Sequence, residues 1–266
     1  RDHMFHSLAQ ATTHLVEAPD FAVGVQQALQ ILGEASGMDR IYIFEHDQHG
    51  LDFKNLAPQD FSHLSGSLRY EWVRAGVKPF INEPLLQQLH WYPNLKRWYE
   101  HLSRGNPIIG SVASFPESER ALFEMQGIRS LLAVSIDVNG EPWGFVGLDN
   151  CRDEGTWPDH LMSMLRTLAV NFGAAMAWRQ SRAAVASQVQ FTRAVLDAVP
   201  AMIAVRNASG RIVLANQAMA MHVGRPVSEL IGLGSDQVPE LAASAGAELG
   251  QQTAAPGGEL RSLQGA

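Results

Sequence analysis

Apolar and polar positions change period several times along this chain, and each change marks an element. Residues 2–17 place Phe5, Leu8, Ala9, Thr12 and Leu15 at helical spacing. Pro19-Asp20 interrupts the pattern, and Phe21, Val25, Ala28, Leu29 and Leu32 resume it as far as Gly37, a C-terminal stop. Asp39–Glu45 alternates and is rich in β-formers, which predicts the first strand. His46–Gly50 is a polar turn, and Leu51–Ala57 is expected to return as a weaker strand. Leu68–Arg74 predicts another strand, and residues 76–93 read as irregular around three prolines. Leu95–Ser103 predicts a short helix with Leu95, Trp98, Tyr99 and Leu102 on its apolar face. Pro107–Ala113 reads as a short strand. Pro116–Met125 reads as a helix with Pro at its start and acidic residues in its first turn.

The strongest pattern lies in Ile128–Arg152. Leu131, Ala133, Ser135 and Asp137 share one alternation, and Leu132, Val134, Ile136 and Val138 share the other. Asn139-Gly140 suits a two-residue hairpin turn, whose central positions need positive φ. The return arm, Trp143–Leu148, is nearly continuous in apolar residues and glycines, the composition of a strand covered on both faces. From Pro158 a helical period runs to about Val199, interrupted only by Gly173. At 1.5 Å per residue that is roughly 60 Å of helix, more than one small domain can cover. A weak heptad seam passes through Leu161, Leu168, Ala175, Arg182, Val189 and Leu196. Met164, Asn171, Trp178, Val185 and Thr192 run beside it.

The hairpin and its surroundings resemble the second half of a GAF domain: QGIRSLLAVSI, NGEPWGFVGLDNCR, a Trp and a long helix. RYEWVRAGV, LKRWYEHLSRGNPI and FPESERALFEMQGI fit the same pattern upstream and in order. The resemblance covers about Asp20 to Gln180, and it is closest to GAF domains of bacterial multidomain signalling proteins. After Pro200, FTRAVLDAVPAMIAVRNASGRIVLANQAMAMHVGRPVSELIG resembles the start of a PAS domain. Met202–Arg206 and Arg211–Ala215 are its strands. Asn216 caps the helix Gln217–His222, and Ser228–Ile231 is a second helical piece. Beyond Gly232 the composition drifts to Ala, Gly, Ser, Gln and Pro. The expected fold is therefore α/β (α+β): a GAF-type antiparallel sheet flanked by helices, a long connecting helix, and a partial PAS domain. The expected divisions are an N-terminal helix at 1–18, the GAF domain at 19–180, the linking helix at 158–199, and the PAS part at 200–266 with a poorly ordered end.

Composition narrows the function. A net charge of −7 over 266 residues argues against a general nucleic-acid or anionic-membrane binder. The single cysteine, Cys151, allows no internal disulfide and suits a reducing compartment, so a cytoplasmic location is expected. No apolar run approaches the roughly 18–20 residues of a membrane span. There is no phosphate loop, no HExxH helix and no cyclase or phospho-accepting histidine signature, so this chain is expected not to be an enzyme. One cysteine supplies no resolving partner for GAF-fold sulfoxide reduction. Asn150-Cys151-Arg152 stands on a GAF strand, away from where flavin or bilin cysteines sit, so neither covalent pigment is expected.

The site candidates concentrate in the segment that closes a GAF pocket. Trp91, Tyr92, Trp98 and His101 supply aromatic surface, with Trp72 and Arg74 on a nearby strand. Ser111, Ser114 and Arg129 could supply polar contacts, Arg129 by clamping a carboxylate or phosphate. Aromatics at such spacing also build ordinary core. Asp149 is a candidate partner for a ring N–H or for Arg97. His90 and His101 are candidates for a non-covalent haem, whereas His46 and His49 read as a solvated turn.

The resemblance implies the sensory input region of a sensor histidine kinase or of a cyclic-di-GMP enzyme. In that reading a GAF domain senses a small ligand, and a helix passes the signal to PAS and a further output domain. The alternative is a ligand-free GAF that serves dimerisation. In both readings the long helix pairs two copies of the chain.

Overall fold

A computed structural model describes residues 2–49, 63–234 and 237–238. The strand expected over Leu51–Ala57 and the region expected to be poorly ordered after 238 lie outside the described residues. The chain divides into two compact units, Arg1–Ser181 and Arg182–Ala266.

In the first unit, α1 (Asp2–Glu17) and α2 (Phe21–Ser36) precede β1 (Arg40–His46) and β2 (Ser65–Val73). Asp20 starts α2 by accepting from the Ala22 amide at 2.8 Å, and Gly37 ends it in the left-handed region. Then come β3 (Leu89–His90), α3 (Lys96–Leu102), β4 (Ile108–Ser111), α4 (Glu117–Met125), β5 (Ser130–Val138), β6 (Glu141–Asn150) and α5 (Asp159–Ala198). The strands form one six-stranded antiparallel sheet in the order β3-β2-β1-β6-β5-β4. The β5–β6 hairpin stands inside the sheet, as its apolar return arm requires.

The sheet separates two cores. One face carries Ile41, Ile43, Leu132, Val134, Val146 and Leu148 against α1, α2 and the first half of α5. The other carries Tyr42, Phe44, Leu131, Ala133 and Phe145 beneath the segment from Phe80 to Ile128. Strict alternation decides which side chain faces which core. Two glycines set close approaches. A Cβ at Gly147 would lie 2.4 Å from the Tyr42 ring, its partner across β1 and β6. A Cβ at Gly173 would lie 2.1 Å from the Asp137 carbonyl oxygen, so α5 reaches the β5 backbone only because this residue has no side chain.

From Ser181 to Val195 every residue of α5 is exposed, including Val185 and Val189 at 62% and 61%. The second unit continues with β7 (Ala204–Arg206), β8 (Ile212–Ala215), α6 (Gln217–Val223) and α7 (Val227–Leu230). Its small core gathers Ile212, Met219, Val227 and Leu230. Asn216, fully buried, organises it. Its Oδ1 accepts from the Ile203 and Met219 amides, and its Nδ2 donates to the carbonyls of Leu196, Val199 and Ala201.

Candidate functional site

Between the sheet and the lid segment lies a cavity of about 30 Å³. β1 contributes Arg40, Tyr42 and Phe44 to its walls, β2 contributes Glu71, and β6 contributes Phe145. The lid contributes Trp91, Trp98 and the α4 residues Leu122, Phe123 and Gln126. Phe44 and Phe145 stack at 5.0 Å, and Trp98 stacks on Phe123 at 5.1 Å. Trp98 is also tied down chemically: its Nε1 donates to Glu119 at 3.0 Å, and Arg97 holds the same buried carboxylate through bonds of 2.9 and 2.6 Å. This clasp joins α3 to α4. The volume matches roughly one water, far below the roughly 300 Å³ at which drug-sized ligand pockets begin.

The polar end of the cavity is ionic and buried. Arg40, 2% exposed, donates from Nη1 to Asp149 at 2.9 Å and from Nη2 to the Lys78 carbonyl at 3.2 Å. Its Nε faces Glu71 at 3.1 Å, and its guanidinium lies 4.9 Å from the Phe80 ring centre. Glu71 also accepts from the Phe80 and Ile81 amides at 2.7 and 2.8 Å. Two carboxylates thus share one guanidinium. Burial pushes the Asp149 carboxyl up to about 6 and also raises Glu71, even though Arg40 pulls both down. Burial raises the Tyr42 hydroxyl well above its usual range, and adjacent Asp149 reinforces the shift. Behind this group Asp39 accepts from the Cys151 amide and from Arg152, which braces the start of β1 against the end of β6. Burial lifts the Cys151 thiol to about 11, so it is a poor nucleophile at neutral pH.

The structure brings two of the nine expected site residues, Trp91 and Trp98, to the cavity wall. Trp72 belongs to the opposite core, where its ring fills the space left by Gly33 of α2. Its sequence neighbour Glu71 takes the cavity position. Arg74 donates to the Gly37 carbonyl and lies 3.6 Å from Asp39, beyond the end of β2. Tyr92 is 48% exposed, and His101 is exposed on α3. Ser111 accepts from the Ala113 amide at 3.3 Å, and Ser114 donates to the Ser111 carbonyl at 2.6 Å, so both serve a local turn. Arg129 is exposed while its neighbour Ile128 lines the cavity, again by alternation. His90 is exposed and, like His101, lies outside the lining. Asp149 holds Arg40, and Arg97 belongs to Glu119.

His46 corrects the reading of a solvated turn. It is 4% exposed, edge-on to Trp91 and Tyr99 at 5.5 Å each, and burial pushes its pKa down to about 4. His49 is exposed and lies over Trp143.

A six-stranded antiparallel sheet with helices on one face and a pocket-forming segment on the other defines a sensory-domain fold, and the sequence places it. The GAF domain family pattern matches residues 21–176, more than half of the chain, and the chain belongs to that family. The PAS fold pattern matches residues 190–237. The chain is 39% identical over 183 residues to the methanogenesis regulatory histidine kinase FilI of Methanothrix harundinacea, which covers 69% of this chain and 19% of FilI. It thus spans about a fifth of the length of that curated relative.

Among solved structures, the far-red-absorbing dark state of JSC1_58120g3 with bound biliverdin IXa is similar at a TM-score of 0.54 and 11% identity. That match covers 65% of this chain and 99% of the other. The blue-light-absorbing PixJ GAF domain of Thermosynechococcus elongatus is similar at 0.50 and 11%, covering 71% and 96%. At such identities the likeness establishes the fold.

Proposed function

We propose that this chain is the sensory input region of a histidine-kinase-type signalling protein in the cytoplasm. Its GAF domain receives a small molecule between sheet and lid, α5 carries the change to the PAS unit, and the output is made elsewhere in the protein. One observation carries the ligand reading: buried polar groups, Arg40 and Glu71, line the cavity among aromatic side chains. A core with only a structural task is more stable when such positions are apolar, and buried ionic groups collect where a site has work to do. FilI, a regulatory histidine kinase, supports the signalling context.

A second reading has its own observation. The cavity is about 30 Å³ and Trp98 is pinned by Glu119, which suits a ligand-free GAF serving as an interaction module. In either reading α5 pairs two copies of the chain.

Thermal shift against a library of small metabolites separates the two. A ligand at about a hundred times its Kd stabilises by ~2.7 kcal/mol, which for a domain of this size raises Tm by about 5–10 °C. Failure of every compound to move Tm, with no adduct in native mass spectrometry, would establish the ligand-free module.

A further inference from the structure

Helices α1 and α5 of the GAF unit run side by side in the same direction. Phe5 and Ser163 line one groove between them, Asn171 donates to Thr12 at 2.7 Å, and Arg179 donates to the Ala18 carbonyl. The groove is open and measures about 640 Å³, and Met4, Leu8, Met164 and Thr167 are among its walls. Beside it each helix leaves an apolar stripe outside the core. On α1 the stripe is Phe5, 70% exposed, with Ala9 and Val16. On α5 it is Val170, 68% exposed, with Ala174 and Trp178. None of these six residues is charged.

An uncharged apolar patch has the composition of an interface core. Its shape suits one occupant in particular. An exposed knob, Phe5, stands at an apolar hole on the same surface, and an isologous pair needs a patch that complements itself. Size points the same way. The stretch of α5 from Ser181 to Val195 is about 22 Å long and about 10 Å wide, so pairing through it alone would cover roughly 200 Å² per copy. A stable interface covers about 800 Å² per partner. The α1–α5 face, about 25 Å long and two helices wide, supplies roughly 500 Å² more.

Resting on the pairing reading above, we propose that the GAF unit meets the GAF unit of a second copy of this chain through the α1–α5 face. Phe5 and the groove beside it form the centre of the contact. The exposed stretch of α5 extends that interface and does not form it alone.

Sedimentation equilibrium of the 266-residue chain tests this with three single substitutions. Val170→Glu and Ala9→Glu lie on the two stripes, and a two-fold axis brings each new charge close to its own copy. Each is expected to raise the dimer Kd at least tenfold. Val23→Glu replaces an exposed apolar residue of α2 beside His14 and Glu17, away from the groove, and is expected to leave Kd unchanged. Circular-dichroism melts check that each variant is folded, and the two stripe positions stand independently if one fails. A dimer that both stripe variants leave intact, while Val185→Glu with Val189→Glu dissociates it, overturns the inference, keeps pairing through α5 and leaves this face to another occupant. Equal weakening by Val23→Glu also overturns it. A parent chain that is monomeric at high micromolar concentration removes the pairing reading itself.

Discussion

Two buried residues pull the pH dependence of folding in opposite directions. Asp149 holds its proton to about pH 6 when folded, against 3.8 ordinarily, so between those values the folded chain binds more protons and folding weakens as pH rises. His46 is neutral down to about pH 4 when folded, against 6.5 ordinarily, so folding strengthens as pH rises across that window. The two contributions oppose each other from about pH 4 to 6. Asp149→Asn removes one of them, and its Tm is expected to fall more steeply than the parent's from pH 7 to pH 4. Circular-dichroism melts at half-unit intervals read this directly, and parallel profiles for the two proteins would contradict it. The sequence showed these residues but not their partners. Residue type points to Trp72 and Arg129, whereas it is their sequence neighbours Glu71 and Ile128 that line the cavity. The available signal was Asp149 itself: a charge inside an otherwise apolar central strand requires a buried partner, and Arg40 begins the neighbouring strand.

Helix α5 was legible from its period, because 40 residues without proline leave few alternatives. The β5–β6 hairpin was legible from alternation and Asn139-Gly140, both at positive φ. Strand β3 was not legible, since it exists only by pairing Ser65 with His90 and Gly66 with Leu89, far apart in sequence. Gly173 shows how context overrides helix propensity. Alanine in a helix interior is favoured over glycine by about 1 kcal/mol, but here its Cβ would meet a backbone oxygen at 2.1 Å. Overpacking of this kind costs about 1–3 kcal/mol. Gly173→Ala is therefore expected to destabilise by up to about 2 kcal/mol net, read as a lower urea midpoint at unchanged slope. The exposed stretch of the same helix carries Val185 and Val189 on one stripe. Replacing both with Glu is expected to weaken self-association at least tenfold and leave GAF unfolding unchanged. Sedimentation equilibrium checks it, and a parent chain that is monomeric at high micromolar concentration would end the pairing proposal.

At the scale of the whole molecule, the order GAF, helix, PAS was readable because each part carries its own local pattern. Ligand chemistry was not, because it depends on which side chains alternate onto one face of a sheet and on what remains unpaired there. The Asn216 amide has a practical consequence for dividing the chain. The last turn of a helix usually meets its hydrogen-bonding needs with neighbours a residue or two away. Here one carbonyl of α5 and two just beyond it depend on a side chain 15 to 20 positions downstream. Shortening the protein at Val199 would strip the Leu196 and Val199 oxygens of that donor and fray the helix from its end. A fragment designed to keep α5 intact must therefore run through Asn216 and the α6 turn it caps, and one designed to isolate the GAF domain is better ended near Ser181, before that dependence begins.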